Sequence, residues 1–100
     1  MQEFRSLELA IKQYQIIKNL KLKGEVRSQI ERASLSVCLN LSEGNGKLTA
    51  KDRARFFNIS YASQQEVKCL LKILNLVYLL DLADKLAAHL YRLQQQARNG

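Results

Sequence analysis

The sequence predicts an all-α protein folded as an antiparallel up-down four-helix bundle, and three observations support this fold class. The 100 residues include no proline and only four glycines, although folds rich in strands depend on these residues for their many turns. Apolar residues recur at spacings of three and four along nearly the whole chain, which is the period of an amphipathic helix. The length suits one domain, so we expect a single domain over residues 1–100 with short connections between its helices.

The first two helices are predicted over residues 4–22 and 25–42. Gly24 separates them, and the lysines before it suit the negative end of the first helix dipole. The segment 43–46, Glu-Gly-Asn-Gly, is expected to end the second helix because its two glycines supply left-handed backbone conformations. The apolar faces of these two helices are formed by Leu7, Ala10, Ile11, Tyr14, Ile17, Val26, Ile30, Ala33, Val37 and Leu41.

The third and fourth helices are predicted over residues 50–79 and 82–97. Thr49 followed by Asp52 resembles a capping box and marks the start of the third helix. Because no glycine or proline marks its end, we place the turn at Leu79–Asp81, whose last residue would cap the fourth helix. The faces of these helices that point to the core are formed by Phe56, Ser60, Ser63, Val67, Leu70, Leu74, Val77, Ala83, Leu86, Leu90, Leu93 and Ala97.

The third helix has more apolar surface than one bundle core can cover. A second apolar stripe lies beside its core-facing seam, and a helix that is apolar around most of its circumference needs cover on more than one side. A chain of 100 residues also buries a modest fraction of its surface, so association between copies would add stability. We therefore predict a homo-oligomer whose subunit interface includes Leu35, Leu39, Ile59, Ile73 and Leu76.

Several polar residues fall at positions that the helical period assigns to the interior of the bundle. A carboxylate there is costly unless it is paired or hydrogen-bonded, and Glu66 could accept bonds from Ser63 and Asn40. We favour a structural interpretation, in which a polar lock sets the register of the helices or these residues meet solvent near a bundle end. The alternative is a catalytic or ligand-binding carboxylate. The polar lock comprises Asn40, Glu43, Ser63 and Glu66, and Ser60 is also placed in the interior.

The charge balance favours a polyanionic partner. The chain has 16 lysines and arginines against 9 aspartates and glutamates, for a net charge of +7, which favours nucleic acid or an anionic membrane surface. Basic patches bind phosphates largely without sequence preference and with strong salt dependence; the alternative is a solvated face that serves solubility. The tyrosines form no recognisable platform for base stacking. The predicted nucleic-acid-binding residues are Lys12, Lys18, Lys21, Lys23, Arg27, Lys47, Lys51, Arg53, Arg55, Lys68 and Lys72.

Other binding modes and catalysis find less support. A helix-turn-helix around residues 44–46 has some appeal, but the flanking helices are too long for that motif. His89 is the only histidine, no Glu-x-x-His pair occurs, and Cys38 and Cys69 have apolar neighbours. We therefore expect no enzymatic activity, metal, cofactor or small-molecule substrate.

The sequence shows no recognisable secretory signal or membrane span. We therefore expect a cytoplasmic protein without a membrane partner, and keep membrane-surface binding through the first helix as the weaker option.

Two strings of residues resemble a known family. Residues 28–46 read S-Q-I-x-R-A-x-x-S-V-x-x-N-L-x-E-G-x-G, and residues 56–66 read F-F-x-I-x-x-x-S-x-x-E. They resemble the four-helix-bundle family of 23S rRNA intervening-sequence (S23-type) proteins, to which the Avd-like accessory proteins of diversity-generating retroelements are similar. The resemblance covers residues 4–82, and the fourth helix is similar only in character. Mild departures from the family pattern occur at Cys38, Lys47 and Ala62.

The resemblance implies a cytosolic homopentamer, a ring of bundles with a basic surface and no enzymatic activity. Because the Avd-like branch acts with a reverse transcriptase and its template RNA, it also implies an accessory protein that binds nucleic acid. The predicted function is therefore a non-enzymatic, oligomeric protein that binds structured RNA or DNA, with a reverse transcriptase as a candidate partner. The alternative is a structural or scaffold protein of the intervening-sequence type that acts through protein–protein contacts.

Overall fold

Four α-helices build the computed structural model, which describes residues 2–100; Met1 of the predicted domain lies outside the described residues. The helices are α1 (Gln2–Lys18), α2 (Gly24–Asn45), α3 (Ala50–Ile73) and α4 (Leu80–Asn99), with a short 3₁₀ turn at Val77–Leu79. Residues 2–100 contain no strand. The predicted all-α class and its four helices are confirmed. Around the bundle, α1 and α3 each pack against both α2 and α4.

Contacts between neighbouring helices show that the chain runs up and down through the bundle. Ser60 of α3 donates a hydrogen bond to the carbonyl of Val37 in α2 at 2.8 Å. Phe57, one turn earlier in α3, lies against Gly44, two turns later in α2. This opposed order means that the two helices are antiparallel, and contacts between α3 and α4 follow the same reversed order. The molecule is 41 Å long, close to the ~36 Å that the 24 residues of α3 span.

Apolar side chains from all four helices fill the core. Because each helix presents one apolar face, the faces meet along the bundle axis and exclude water. Full burial of a leucine or isoleucine side chain stabilises the fold by ~1.5–3 kcal/mol. The buried apolar residues include Ala10, Ile17, Ile30, Val37, Leu41, Phe57, Val67, Leu71, Ala83, Leu86 and Leu90.

Gly44 is required for close packing rather than for a left-handed turn. α2 continues to Asn45, past the predicted end at residue 42, and Gly24 is the only glycine with a positive φ in the described part of the chain, at 70°. A Cβ added to Gly44 would lie 2.6 Å from Cε1 of Phe57. The expectation that this glycine supplies a left-handed helix exit was wrong, because its role is to leave room for an aromatic ring.

α1 ends at Lys18 rather than at residue 22. The side-chain amide of Asn19 donates to the carbonyl of Gln15 at 2.8 Å and satisfies one of the terminal carbonyls of the helix. Leu20 and Leu22 follow in the connection and pack, partly buried, against the core. Their apolar character therefore reflects burial of the connection, not continuation of the helix.

α3 ends at Ile73, well before the predicted residue 79, because Asn75 takes a left-handed conformation with a φ of 61°. The N–H of Leu76 donates to the carbonyl of Leu71 at 2.9 Å. The N–H of Asn75 donates to the carbonyl of Lys72 at 3.0 Å. These two bonds form a Schellman motif, in which asparagine can replace the usual glycine. The helix stop is therefore encoded by an asparagine.

The turn predicted at Leu79–Asp81 was consequently wrong. A 3₁₀ turn occupies Val77–Leu79, and Asp81 lies in the first turn of α4 rather than at its N-cap. Its negative charge still suits the positive end of the helix dipole there. Leu76 does not lie on α3 and packs, half-buried, against the core. It therefore does not share the outer face of α3 that the interface prediction assumed.

Candidate nucleic-acid interface

The predicted polar lock forms only in part. Asn40 donates to the carbonyl and the Oγ of Ser36 at 2.9 and 3.0 Å, and Ser36 Oγ lies 2.8 Å from Ser63 Oγ. These bonds connect α2 to α3 at half-buried positions. Glu43 and Glu66 are exposed, and Glu66 has no hydrogen bond to any described residue. Placing both carboxylates in the interior was wrong, because they lie on outer faces where water solvates them.

A pair of buried glutamines forms a polar contact that the sequence analysis missed. The amides of Gln13 in α1 and Gln64 in α3 each donate to the other's oxygen at 2.8 Å. Gln64 also donates to the carbonyl of Ala83 in α4 at 3.0 Å. Gln64 is completely buried and Gln13 almost completely, so these bonds offset the cost of removing two amides from water. They join three helices at one level of the bundle.

Three of the predicted phosphate-binding cations already have carboxylate partners. The pairs are Arg27–Glu31 at 2.9 Å, Lys47–Glu43 at 3.1 Å and Lys68–Asp84 at 2.9 Å. Each pair is at the surface, where such contacts contribute ~0–1 kcal/mol and are screened by salt. A phosphate can therefore compete for these cations, but each pair lowers the local positive charge.

Arg53 has an internal role. Its guanidinium donates to the carbonyls of Lys47 and Leu48 at 3.3 and 3.2 Å, and it holds the connection between α2 and α3. The other predicted cations are exposed and have no carboxylate within ion-pair distance in the described part of the chain; they are Lys12, Lys18, Lys21, Lys23, Lys51, Arg55 and Lys72.

Lys51 and Arg55 share a groove between α3 and α4 with a cation that the sequence analysis missed. Arg98, in the last turn of α4, lines this groove, and Asp52 contributes one carboxylate to it. Arg55 also stacks on Phe56, with 4.7 Å between its guanidinium carbon and the ring centre. In the sequence Arg98 is an isolated charge 43 positions from Arg55. Only the antiparallel packing of α3 and α4 brings the two ends together.

Amide and aromatic side chains continue the surface between α3 and α4. Asn58 and Gln94 line the same groove as the three cations. Farther along, the rings of Tyr61 and Tyr91 lie with their centres 5.8 Å apart and tilted by 56°, and the amide of Gln95 donates to the hydroxyl of Tyr91 at 2.7 Å. Tyr91 is 48% exposed. This ring pair depends on α4 supplying the second tyrosine, whereas the expectation that the tyrosines form no base-stacking platform stays a prediction.

Four of the five predicted interface residues are exposed apolar side chains on α2 and α3, and we refer to them together as the exposed apolar face. Leu35 and Leu39 lie on α2, and Ile59 and Ile73 lie on α3. Leu39 is 60% exposed and Ile73 is 67% exposed. These side chains are apolar and accessible in the single chain, whereas association into a ring stays a prediction.

Two side chains, Cys38 and His89, have pKa values shifted from their ordinary values. Burial raises the pKa of the Cys38 thiol to about 11, so this thiol is protonated and unreactive at neutral pH. Burial, followed by the charges of Arg92, Arg5 and Lys85, lowers the pKa of His89. Among residues 4–100, whose side chains the structure describes, no three His, Cys, Asp or Glu side chains come close enough together to hold a metal ion.

None of the helices described in residues 2–100 combines the length and the apolar character required to cross a bilayer. Comparison with protein-family models matches residues 4–99 to the family described as 23S rRNA-intervening sequence protein. No curated protein and no solved structure matches the chain.

Proposed function

Because the chain belongs to the 23S rRNA-intervening sequence protein family, we propose that it is a non-enzymatic accessory protein that binds nucleic acid through its unpaired surface cations. The observation that carries this proposal is the charge distribution. The chain has 16 lysines and arginines, and three of them have a carboxylate within ion-pair distance among the described residues. The excess positive charge is therefore available to phosphates rather than consumed inside the fold.

Phosphate contacts of this kind act by releasing condensed counterions from the nucleic acid. Many of the exposed cations fall in two regions, the end of α1 with its following connection and the groove between α3 and α4. Neither region presents a helix or a sheet shaped for reading a base sequence in a groove. Binding should accordingly follow the shape and charge of structured RNA or DNA more than its sequence.

Association of several copies would strengthen this binding. The exposed apolar face of α2 and α3 is the proposed subunit interface, and the family resemblance suggests five subunits in the cytoplasm. A ring would repeat each basic region around its axis, so that one RNA molecule contacts several subunits and weak contacts combine into avidity. A reverse transcriptase is the proposed protein partner in a retroelement setting.

A gel-shift titration with a structured RNA tests the proposal. Between ~50 and ~300 mM salt, the logarithm of the association constant should fall linearly with the logarithm of salt concentration, with a slope of ~0.9 or less for each phosphate contacted. Absence of binding at the low-salt end, or binding that does not respond to salt, contradicts the proposal. An acidic protein of similar size serves as the control for nonspecific retardation.

A scaffold function is the second candidate, and the exposed apolar face on α2 and α3 favours it. Partners would then bind through protein–protein contacts, and the positive charge would serve solubility. The two functions are distinguished by a pull-down with and without nuclease treatment. A protein partner retained after complete nuclease digestion supports the scaffold, and loss of all partners supports the nucleic-acid function.

A further inference from the structure

We propose that the groove between the start of α3 and the end of α4 holds a phosphate of a single nucleic-acid strand, and that the adjacent Tyr91 ring stacks on one of its bases. This inference rests on the proposed nucleic-acid function and gives it a site. The residues that carry it are Lys51, Arg55, Asn58, Gln94, Arg98 and Tyr91.

Gln94 is the observation that points to a ligand. Its side chain lines the groove, yet the residue is only 8% exposed. Its amide makes no hydrogen bond to any described residue, in contrast to the buried amides of Gln13 and Gln64, which bond to each other. Because no buried side-chain nitrogen or oxygen atom of the described residues lacks a hydrogen-bond partner, the polar atoms of the Gln94 amide reach solvent at the groove. A phosphate oxygen in the groove would accept its N–H in place of water.

The electrostatics of the groove select an anion. Lys51, Arg55 and Arg98 bring three positive charges against the single carboxylate of Asp52. The first turn of α3 borders the groove, and the positive end of a 24-residue helix dipole adds to the potential. Lys51 and Arg98 have no carboxylate partner among the described residues. A phosphodiester would meet cations on both helices without displacing an existing ion pair.

The aromatic pair identifies the anion as part of a nucleic acid. Tyr61 lies three residues after Asn58 on α3, which is ~4.5 Å along the helix axis, so the rings adjoin the phosphate groove. Tyr91 is 48% exposed, and its hydroxyl accepts a hydrogen bond from Gln95, which limits rotation of the ring. A base can stack on an exposed, oriented ring only when it is free of its own helix. The surface therefore fits an unpaired strand, such as a loop, better than a duplex.

Binding of a fluorescein-labelled, single-stranded oligouridine of ~12 nucleotides, a length within the usual site size of such surfaces, tests the inference. Anisotropy is measured for the wild type, Arg98→Gln, Gln94→Glu and Tyr91→Leu. The matched control is Arg92→Gln, which removes the same charge from α4 at an exposed position outside the groove. We expect Arg98→Gln to weaken binding ~5-fold or more and to reduce the salt slope by ~1, and the control to change affinity less than ~2-fold.

The base contact has its own signature. Tyr91→Leu should weaken binding of the single strand ~5-fold or more but leave binding of an RNA duplex unchanged. Tyr91→Phe keeps the stacking ring and loses only the bond from Gln95, so it should weaken single-strand binding less than Tyr91→Leu does. Arg98 is exposed, so its variant should fold normally even where Gln94→Glu does not, and circular dichroism verifies folding for each. Equal binding by Arg98→Gln and Arg92→Gln would overturn the groove while leaving the proposed function intact.

Two further outcomes complete the test. Failure of the wild-type protein to bind the oligonucleotide or a structured RNA at low salt would refute the proposed function itself. Competition by polyglutamate as effective as competition by unlabelled oligouridine, with no effect of Tyr91→Leu, would overturn the nucleic-acid assignment and make the groove a general anion site.

Discussion

Replacing Gly44 by alanine should destabilise the bundle, although alanine is normally the better residue in a helix. Gly44 lies inside α2, and an added Cβ would be 2.6 Å from Cε1 and 2.8 Å from Cδ1 of Phe57. Ordinary contact between carbon atoms is ~3.5–4.0 Å, so the ring has to withdraw by ~1 Å. Phe57 is 3% exposed, and its displacement would push on core neighbours that are themselves closely packed.

Two opposing free energies determine the size of the effect. Alanine gains ~1 kcal/mol over glycine in a helix interior, and forcing extra atoms into a packed core costs ~1–3 kcal/mol. Because two ring atoms and the Cβ of Phe56 at 3.2 Å all crowd the new methyl group, we take the upper part of that range. The expected net loss is ~1–2 kcal/mol in the free energy of unfolding.

Urea unfolding followed by circular dichroism measures this loss, at one fixed protein concentration because association affects apparent stability. Gly46→Ala is the matched control, since the nearest atom to its new Cβ is a carbonyl oxygen at 3.6 Å; it should be neutral or slightly stabilising. The double variant Gly44→Ala with Phe57→Leu should lose less free energy of unfolding than the two single variants together, because the smaller side chain relieves the clash. A Gly44→Ala protein as stable as the wild type, or more stable, would refute the close-packing explanation.

Four further predictions follow from other parts of the fold. Gln64→Leu should lower the free energy of unfolding by ~2–3 kcal/mol in urea titrations, because it leaves the buried amide of Gln13 without its partner and removes the bond to the carbonyl of Ala83. Asn75→Val should lower it by ~1–2 kcal/mol, since a β-branched residue resists the left-handed conformation. Because burial raises the pKa of Cys38 from 9.0 to about 11, its contribution to stability is complete below pH 9 and is lost as pH rises from 9 to about 11. The double substitution Leu39→Glu and Ile73→Glu should lower the mass measured by sedimentation, because it places charges on the proposed subunit interface.

Each of these four predictions has its own control. Pairing Gln64→Leu with Gln13→Leu should cost less than the sum of the single changes, and strict additivity would contradict the amide pair. Asn75→Gly should keep wild-type stability. The pH slope between 9 and about 11 should diminish in Cys38→Ala, and an unchanged slope would contradict the role of the thiol. A wild-type protein that sediments as a monomer at micromolar concentration would refute the interface, with circular dichroism confirming that the double glutamate variant is folded.

Local signals in the sequence were sufficient for the fold class and for part of the helix boundaries. Thr49 accepts a hydrogen bond from the N–H of Asp52 at 3.1 Å, as the capping pattern indicated. Asn75 was overlooked as the stop signal of α3 because asparagine is a weaker marker of the left-handed conformation than glycine. Gly44 was recognised as special but for the wrong physical reason, since its neighbour across the bundle is 13 residues away in the chain.

Only those residues of the candidate site that cluster in the sequence could be predicted from it. Lys51 and Arg55 stand out as a cluster in the sequence, whereas Arg98, Gln94 and Tyr91 carry no local signal. They gain their positions from the antiparallel pairing of α4 with α3. The same pairing gives Lys68 a carboxylate partner in Asp84, which the net charge of +7 could not reveal.

By itself, the sequence determined the four amphipathic helices, the excess of positive charge and the family to which the chain belongs. These properties follow from the spacing of residue types along the chain and from its total charge. None of them depends on how one helix is rotated against another. The tertiary structure decided which glutamines bond in the core, which glycine admits a ring and which cations share a groove. Each of these depends on the register and rotation between helices, which are set only when the apolar faces pack together and exclude water.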